Sequence, residues 1–401
     1  MIRRTLDSCC ERGIVGLVLS ALVFSALATG AVRTLEFVVV EWLVAASGLL
    51  WVARTWLEPH RNRLLFPPVG WCLLLFLGYA LFHYVQADVE YTARREVLRL
   101  LVYALLFFVA LNNLHKSEWT QIALYVLVFT GAAIAVYGIV QVIVEAEHVW
   151  HFTRPEQYKG RGSGTFINPN HFAGFLGMLL PLCLASVLTG RINQPMRILL
   201  GYSALLLVGG VAVSMSRGGW VSTSLALAAI VAVLGWRKQF RLRGILLTCI
   251  VLGVIAGFLL VSPFAQGRLR NINKPGTMEH VGSRTELWSA AAAVWKQEKL
   301  LGVGPGHFDH RFPEYRPERL QSRPVRVHND YLNTLVDWGL IGMLLAGLML
   351  GTMVYGIIKS WKYSQRTSSD LSAKTSNRAA FVLGSTVGLG SIALHSFVDF
   401  N

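Results

Sequence analysis

Apolar windows of about 18 residues or more, free of charged side chains and separated by short polar connectors, follow one another along most of this 401-residue chain. Each is long enough to cross a bilayer core of roughly 30 Å as a helix. Charged residues make up only 15% of the sequence and hydrophobic ones 54%, where a soluble protein of this size carries roughly 25% charged residues. The fold class implied is all-α, a polytopic transmembrane helical bundle. Eleven spans are expected: 14–32, 37–52, 69–85, 97–111, 122–144, 172–189, 198–214, 220–234, 245–261, 331–358 and 379–397. The first resembles a secretory signal, with Arg3 and Arg4 ahead of it. Its length and the spans that follow at once point instead to a retained helix.

Three regions result: amino-terminal helices over 1–262, a large polar loop over 263–329, and carboxy-terminal helices over 330–401. The chain stops at Asp399-Phe400-Asn401, directly after a span, so a twelfth helix is expected in the complete protein. If the amino terminus is cytoplasmic, eighteen Lys and Arg residues fall in the short connectors on its side and eight in the opposite ones. The charge bias of short loops then places the amino terminus inside and the 263–329 loop outside.

The net charge of +15 is spread over connectors rather than over one soluble face, which argues against a nucleic-acid partner. Residues 263–328 carry eleven Lys/Arg against six Asp/Glu. Long loops largely escape the topological charge rule, so this excess points to an anionic partner. None of the five cysteines lies in that loop, so no disulfide framework or thiolate metal site is implied there.

Four outward patches carry candidate chemistry. Lys159 to Phe172 includes Arg161, Asn168 and His171 among glycines and hydroxyls, just before a helix start that favours anions. The plainer reading is a turn with Asn170 as the cap. Ser214 to Trp220 is a tight turn with Arg217 at the membrane boundary, where a cation is expensive unless paired or facing water. A snorkelling side chain is the alternative. Ser283 and Glu286 fit a capping box opening a helix that runs to about Glu298. Leu287, Ala291, Val294 and Trp295 give that helix an apolar stripe, and Arg284 in its first turn opposes the dipole. Val327-His328-Asn329-Asp330-Tyr331 then opens the next span, with a histidine able to act as a base near neutral pH. His307 and His310 are spaced for a metal, but only Asp309 accompanies them. Gly302 to Gly306 lacks the Gly-Lys-Ser/Thr ending of a phosphate loop and is expected to shape the return from the surface helix.

Taken together, Ser283-Arg284 followed by Trp288, Gly302-Val303-Gly304-Pro305-Gly306 followed by Phe308, His328-Asn329 with Tyr331-Leu332, and Asp337-Trp338-Gly339-Leu340-Ile341-Gly342 resemble the O-antigen ligase and polymerase superfamily of bacterial envelope glycan assembly. The likeness is clearest over residues 160–345. It implies a periplasm-facing membrane glycosyltransferase that takes a glycan from an undecaprenyl-diphosphate-linked donor and needs no cofactor and no metal. The acceptor is lipid A-core, a growing glycan or a protein hydroxyl, and membrane lipids surround the enzyme. The resemblance assigns Arg217 and Arg284 to the diphosphate and His328 to catalysis, with Arg161, Asn168, His171 and Asn329 as substrate-binding residues. Ligase-like transfer is the first expectation, and polysaccharide polymerase or protein O-oligosaccharyltransferase the alternative. A small-anion, bicarbonate-like transporter is a competing class. It requires polar residues near the bilayer midplane and often repeat symmetry, whereas these candidates collect at one boundary. A non-catalytic assembly scaffold, the third class, would keep partner binding without His328.

Overall fold

The structure, a computed structural model, describes residues 2–235, 279–318, 324–365 and 376–399, with isolated positions 242, 245, 249 and 253. The expected span 245–261, the first part of the polar loop and most of the 364–376 linker lie outside the described residues. Among those described, the helices are α1 (Ile2–Leu27), α2 (Thr34–Leu57), α3 (Pro68–Val85), α4 (Glu90–Asn113), α5 (Ser117–Ile143) and α6 (Pro169–Thr189). They continue with α7 (Gln194–Val213), α8 (Arg217–Gly235), α9 (Glu279–Gln297), α10 (Phe308–Arg311), α11 (Asp330–Gln365) and α12 (Asn377–His395). Nine of them, α1 to α8 and α11, are long and apolar enough to cross a membrane. The strands described are two-residue pieces, His148–Val149 and Phe152–Thr153, paired antiparallel. The protein is an all-α polytopic bundle.

The apolar faces are divided between protein and surroundings. In α6, 78% of the apolar window is buried, through residues such as Phe172, Leu176, Leu180 and Cys183. In α11 the corresponding share is 6%. A helix that is apolar and yet this bare needs an apolar solvent around it, with its backbone bonded internally. Around α6 pack α5, α7, α8 and α12. Gly384 and Gly388 of α12 face the α6 backbone at Leu182 and Met178, and without Cβ atoms the two helices can approach closely.

Three expectations change. Residues 1–13 read as a basic tail ahead of the first span, yet α1 begins at Ile2 and buries Asp7 and Glu11. Arg54, expected as a connector cation, holds both of them. The helix carrying Arg284 starts by Glu279, so Ser283 lies within it rather than at its cap. Arg284 is then beyond the first turn, and the proposed opposition to the dipole falls away. The span opening at Asp330 is not one straight helix, because Gly339 breaks it at φ 63°, ψ −168°.

That break receives the strand of chain after α9. Val303 N donates to Val336 O at 2.9 Å and Gly304 N to Asp337 O at 3.0 Å. Leu340 N and Ile341 N donate to Lys299 O and Leu300 O, and the Tyr79 hydroxyl donates to Leu301 O and Trp338 O. A side chain at Gly302 would run into the backbone at Gly339, and one at Gly339 into Leu300 and Gly302. Only glycine tolerates both the positive φ and the contact. Beside this stitch, Leu287, Ala290, Ala291 and Val294 of α9 bury against Phe308, Phe312, Val327 and Val336. The expected stripe of α9 is therefore its inner face, with Trp295 only half-buried.

Candidate active site

The site assembles at one end of the bundle, where α6, α8 and α11 begin and α12 ends. His328 directly precedes Asn329 and α11. The Asn329 side chain accepts from Leu332 N at 3.0 Å, so it caps the helix. His328 itself sits at φ 55°, in the left-handed region that costs a side-chain-bearing residue roughly 1–2 kcal/mol. Its neighbours over-determine that position. Val327 is fully buried, its N–H donates to Asn333 Oδ1 at 3.1 Å, and its carbonyl accepts from Trp288 Nε1 at 3.2 Å. Asp330 N donates to Ser396 O, and the Tyr331 hydroxyl to Ala393 O, each at 2.9 Å. These bonds fasten the start of α11 to the end of α12.

Fastening α12 there delivers Asp399. Its Oδ1 lies 2.9 Å from His328 Nδ1, with the carboxylate side chain 2% exposed and the imidazole 31%. Its Oδ2 lies 3.6 Å from Arg284 Nη2, and Arg284 Nη1 donates to Val398 O at 2.5 Å. Burial by itself would raise the Asp399 carboxyl, but the His328 hydrogen bond and charge, then Arg284 and His171, outweigh it. The group is held below the usual carboxylate range and is ionised at neutral pH. Ionised, it accepts from Nδ1–H, which fixes the tautomer and leaves Nε2 as the basic nitrogen.

Arg217 opens α8 beside this cluster. The next residue, Gly218, packs against Val398 and His395, so the α8 start and the Asp399 segment share a wall. The Arg217 side chain is exposed, and among the described residues no hydrogen bond or ion pair holds its guanidinium. Arg284 is 35% exposed. The Arg284 guanidinium thus joins a His–Asp pair at the rim of the bundle, and the turn that carries Arg217 lies against the segment leading to Asp399.

The earlier outer loop comes to the same place, largely as framework. Arg161 is buried, with Nε bonded to Ser214 O at 2.8 Å and Nη2 to Asn170 Oδ1 at 2.7 Å. It ties this loop to the turn that carries Arg217. Asn168, not Asn170, caps α6, accepting from Asn170 N at 2.9 Å. Tyr158 stands against Arg161. Burial raises its phenol, and the Asp399 carboxylate raises it further. His171 is half-buried near Asp399 and lines a groove of about 610 Å³. Phe166, Phe175, Met178 and Tyr103 form apolar parts of the groove, and Arg95, Arg99 and Arg326 basic parts.

His307 is elsewhere. Its Nδ1 faces Pro305 O at 2.9 Å and its Nε2 accepts from Val89 N at 3.0 Å, so both nitrogens bind backbone. Sequence reasoning brought Arg217, Arg284 and His328 to one boundary; the structure brings Arg284, His328 and His171 around Asp399, with Arg217 on the adjoining turn. It did not single out Asp399.

Residues 202–347 match the family model described as O-antigen ligase. The resemblance to the O-antigen ligase and polymerase superfamily therefore holds across α7 to the first half of α11, including Arg217, Arg284, His328 and Asn329. An uncharacterized protein of Haemophilus influenzae (strain Rd) is 25% identical over 182 residues, 40% of this chain and 44% of that protein. The chain thus matches less than half the length of this relative.

Proposed function

We propose that this chain is a bacterial inner-membrane glycosyltransferase with its active site at the periplasmic face. It moves a glycan from an undecaprenyl-diphosphate-linked donor to an acceptor hydroxyl. The observation that carries this reading is the His328–Asp399 pair with the Arg284 guanidinium on the same carboxylate, His328, Arg284 and Arg217 all lying within the residues that match the O-antigen ligase model and Asp399 beyond them. The sugar C1 bonded to diphosphate is already activated. The protein has to position the acceptor, remove its proton and stabilise the departing charge.

In the proposed step the acceptor oxygen attacks C1 as its proton passes to His328 Nε2. The C1–O bond to phosphate breaks, and undecaprenyl diphosphate leaves with the bonding pair. Asp399 keeps Nδ1 protonated and stabilises the imidazolium that forms. Arg217 and Arg284 hold diphosphate oxygens through charge-assisted contacts that strengthen as negative charge develops. A single displacement inverts the anomeric centre. The groove that His171 lines carries apolar and basic side chains, which suits a substrate with both apolar and anionic parts.

Ligase-like transfer is the first form of this proposal, and polymerisation or protein O-glycosylation uses the same step with another acceptor. The test is transfer by purified protein in EDTA from an undecaprenyl-diphosphate-linked glycan, offered lipid A-core, free glycan and peptide acceptors separately. Product on lipid A-core alone supports the ligase, and product on another acceptor replaces it with that branch. No product on any acceptor from folded protein overturns the proposal and directs the next experiment to anion flux.

A further inference from the structure

We infer that Arg326 is a positioning residue for His328, acting through the backbone it anchors; this rests on His328 being the base proposed above. Arg326 lies two residues before His328 and reaches two different helices. Its Nη2 bonds Glu96 Oε1 of α4 at 2.7 Å, and its Nη1 lies 3.4 Å from Asp337 Oδ2 of α11. Asp337 is 1% exposed and holds two further groups. Its Oδ1 accepts from Phe308 N at 3.1 Å, and its Oδ2 from Asn333 Nδ2 at 2.8 Å.

Asn333 completes the path, because its Oδ1 accepts from Val327 N at 3.1 Å. Arg326, Asp337, Asn333 and Val327 are therefore one bonded loop closing on the residue before His328. A left-handed φ at a non-glycine residue persists only where the surroundings enforce it. In this chain the enforcement at His328 comes from Val327 and Arg326 on one side and the Asn329 cap on the other. Burial would lower the Arg326 guanidinium, but the Glu96 and Asp337 carboxylates outweigh it and raise it above its ordinary value. The arginine stays charged, and its forked donors reach both carboxylates in a way an ammonium cannot.

Arg326 also lines the groove, so the rival reading is direct contact with substrate. The two differ in what they change. Displacing a base by about 1 Å can lower turnover about 100-fold, whereas losing a binding contact raises KM. Loss of the anchor also frees the imidazole from Asp399, which chemical modification of the ring can detect without any turnover.

The experiment compares wild type, Arg326→Ala, Arg326→Lys and Glu96→Gln in the transfer assay. In parallel, the rate of His328 modification by diethylpyrocarbonate is followed by peptide mass spectrometry, with buried His83 as the folding control. Positioning predicts that Arg326→Ala lowers kcat roughly 10- to 100-fold with KM little changed. It also predicts several-fold faster His328 modification with His83 still protected, and partial recovery in Arg326→Lys. If Arg326→Ala exposes His83, Glu96→Gln decides, with the same outcomes expected in smaller degree. A rise in KM at unchanged kcat, or unchanged His328 modification in a folded variant, overturns the inference. If wild type transfers nothing, the reaction proposed above has failed, while the modification rates still decide whether Arg326 holds His328 against Asp399.

Discussion

Two charged clusters sit at opposite ends of the bundle, and they differ in how much of their charge is already paired. At the end where α1 begins, Arg54 bonds Asp7 Oδ1 and Glu11 Oε2, each at 2.9 Å, and Asn113 Oδ1 at 2.7 Å. Lys116 and Trp119 also bind Glu11, and Arg54, Asp7 and Glu11 are all buried. The other end of α1, roughly 39 Å away at 1.5 Å per residue, lies beside the His328 side. There Thr165 Oγ1 bonds Ala26 O, and the cations stay partly exposed. One cluster is buried and paired among its own side chains, and the other leaves Arg284, His328 and the neighbouring Arg217 partly exposed. Buried charge closed upon itself holds helices together, while charge left open at a boundary has something to bind.

The largest effect expected from this contrast is on stability at the closed end. Arg54→Ala leaves two buried carboxylates without their shared partner, which typically costs about 3–5 kcal/mol. Thermal unfolding in detergent should show a large fall in midpoint, and an unchanged midpoint would break the contrast. Next comes Gly339→Ala, which meets a positive φ worth roughly 1–2 kcal/mol and a collision with the backbone of Leu300 and Gly302. The yield of folded protein in size-exclusion chromatography should drop.

At the open end the effects move from stability to activity. Arg217→Ala should keep the wild-type unfolding midpoint and lose roughly 10- to 100-fold in transfer, about 1.4–2.7 kcal/mol of transition-state stabilisation. Full transfer by this variant would remove the diphosphate role. The smallest effect concerns pH. The folded Asp399 carboxyl titrates below its unfolded value of about 3.9, so its contribution is complete above that value and is lost as pH falls through the folded one. Lowering the pH from roughly 5 through the carboxylate range should therefore destabilise wild type more than Asp399→Asn. Equal pH dependence of the two midpoints would mean that the pair adds nothing to the fold.

Much of this was legible in the sequence because it is local. Apolar windows announce spans, Arg217 and His328 each sit beside a span end, and Arg284 sits in a long polar loop, none with a topological reason to be charged. What was illegible depends on distance along the chain. Asp399 lies 71 residues beyond His328, and a single carboxylate after an apolar run carries no signal of its partner. The Arg326 network ties α4 to α11 through the Arg326–Glu96 pair, whose residues are 230 positions apart. Arg54 counted as a connector cation because composition cannot tell a solvated arginine from one buried against Asp7. The break at Gly339 stayed hidden because apolar residues continue on both sides of it and the chain that fills it comes from residues 299–304.

The most direct test of the open cluster as a catalytic centre is transfer by purified His328→Ala beside wild type, in EDTA, from an undecaprenyl-diphosphate-linked glycan. Loss of roughly 100-fold or more, the range of a missing general base, with the unfolding midpoint preserved, is the predicted result. Transfer at the wild-type rate by the folded variant would contradict the account.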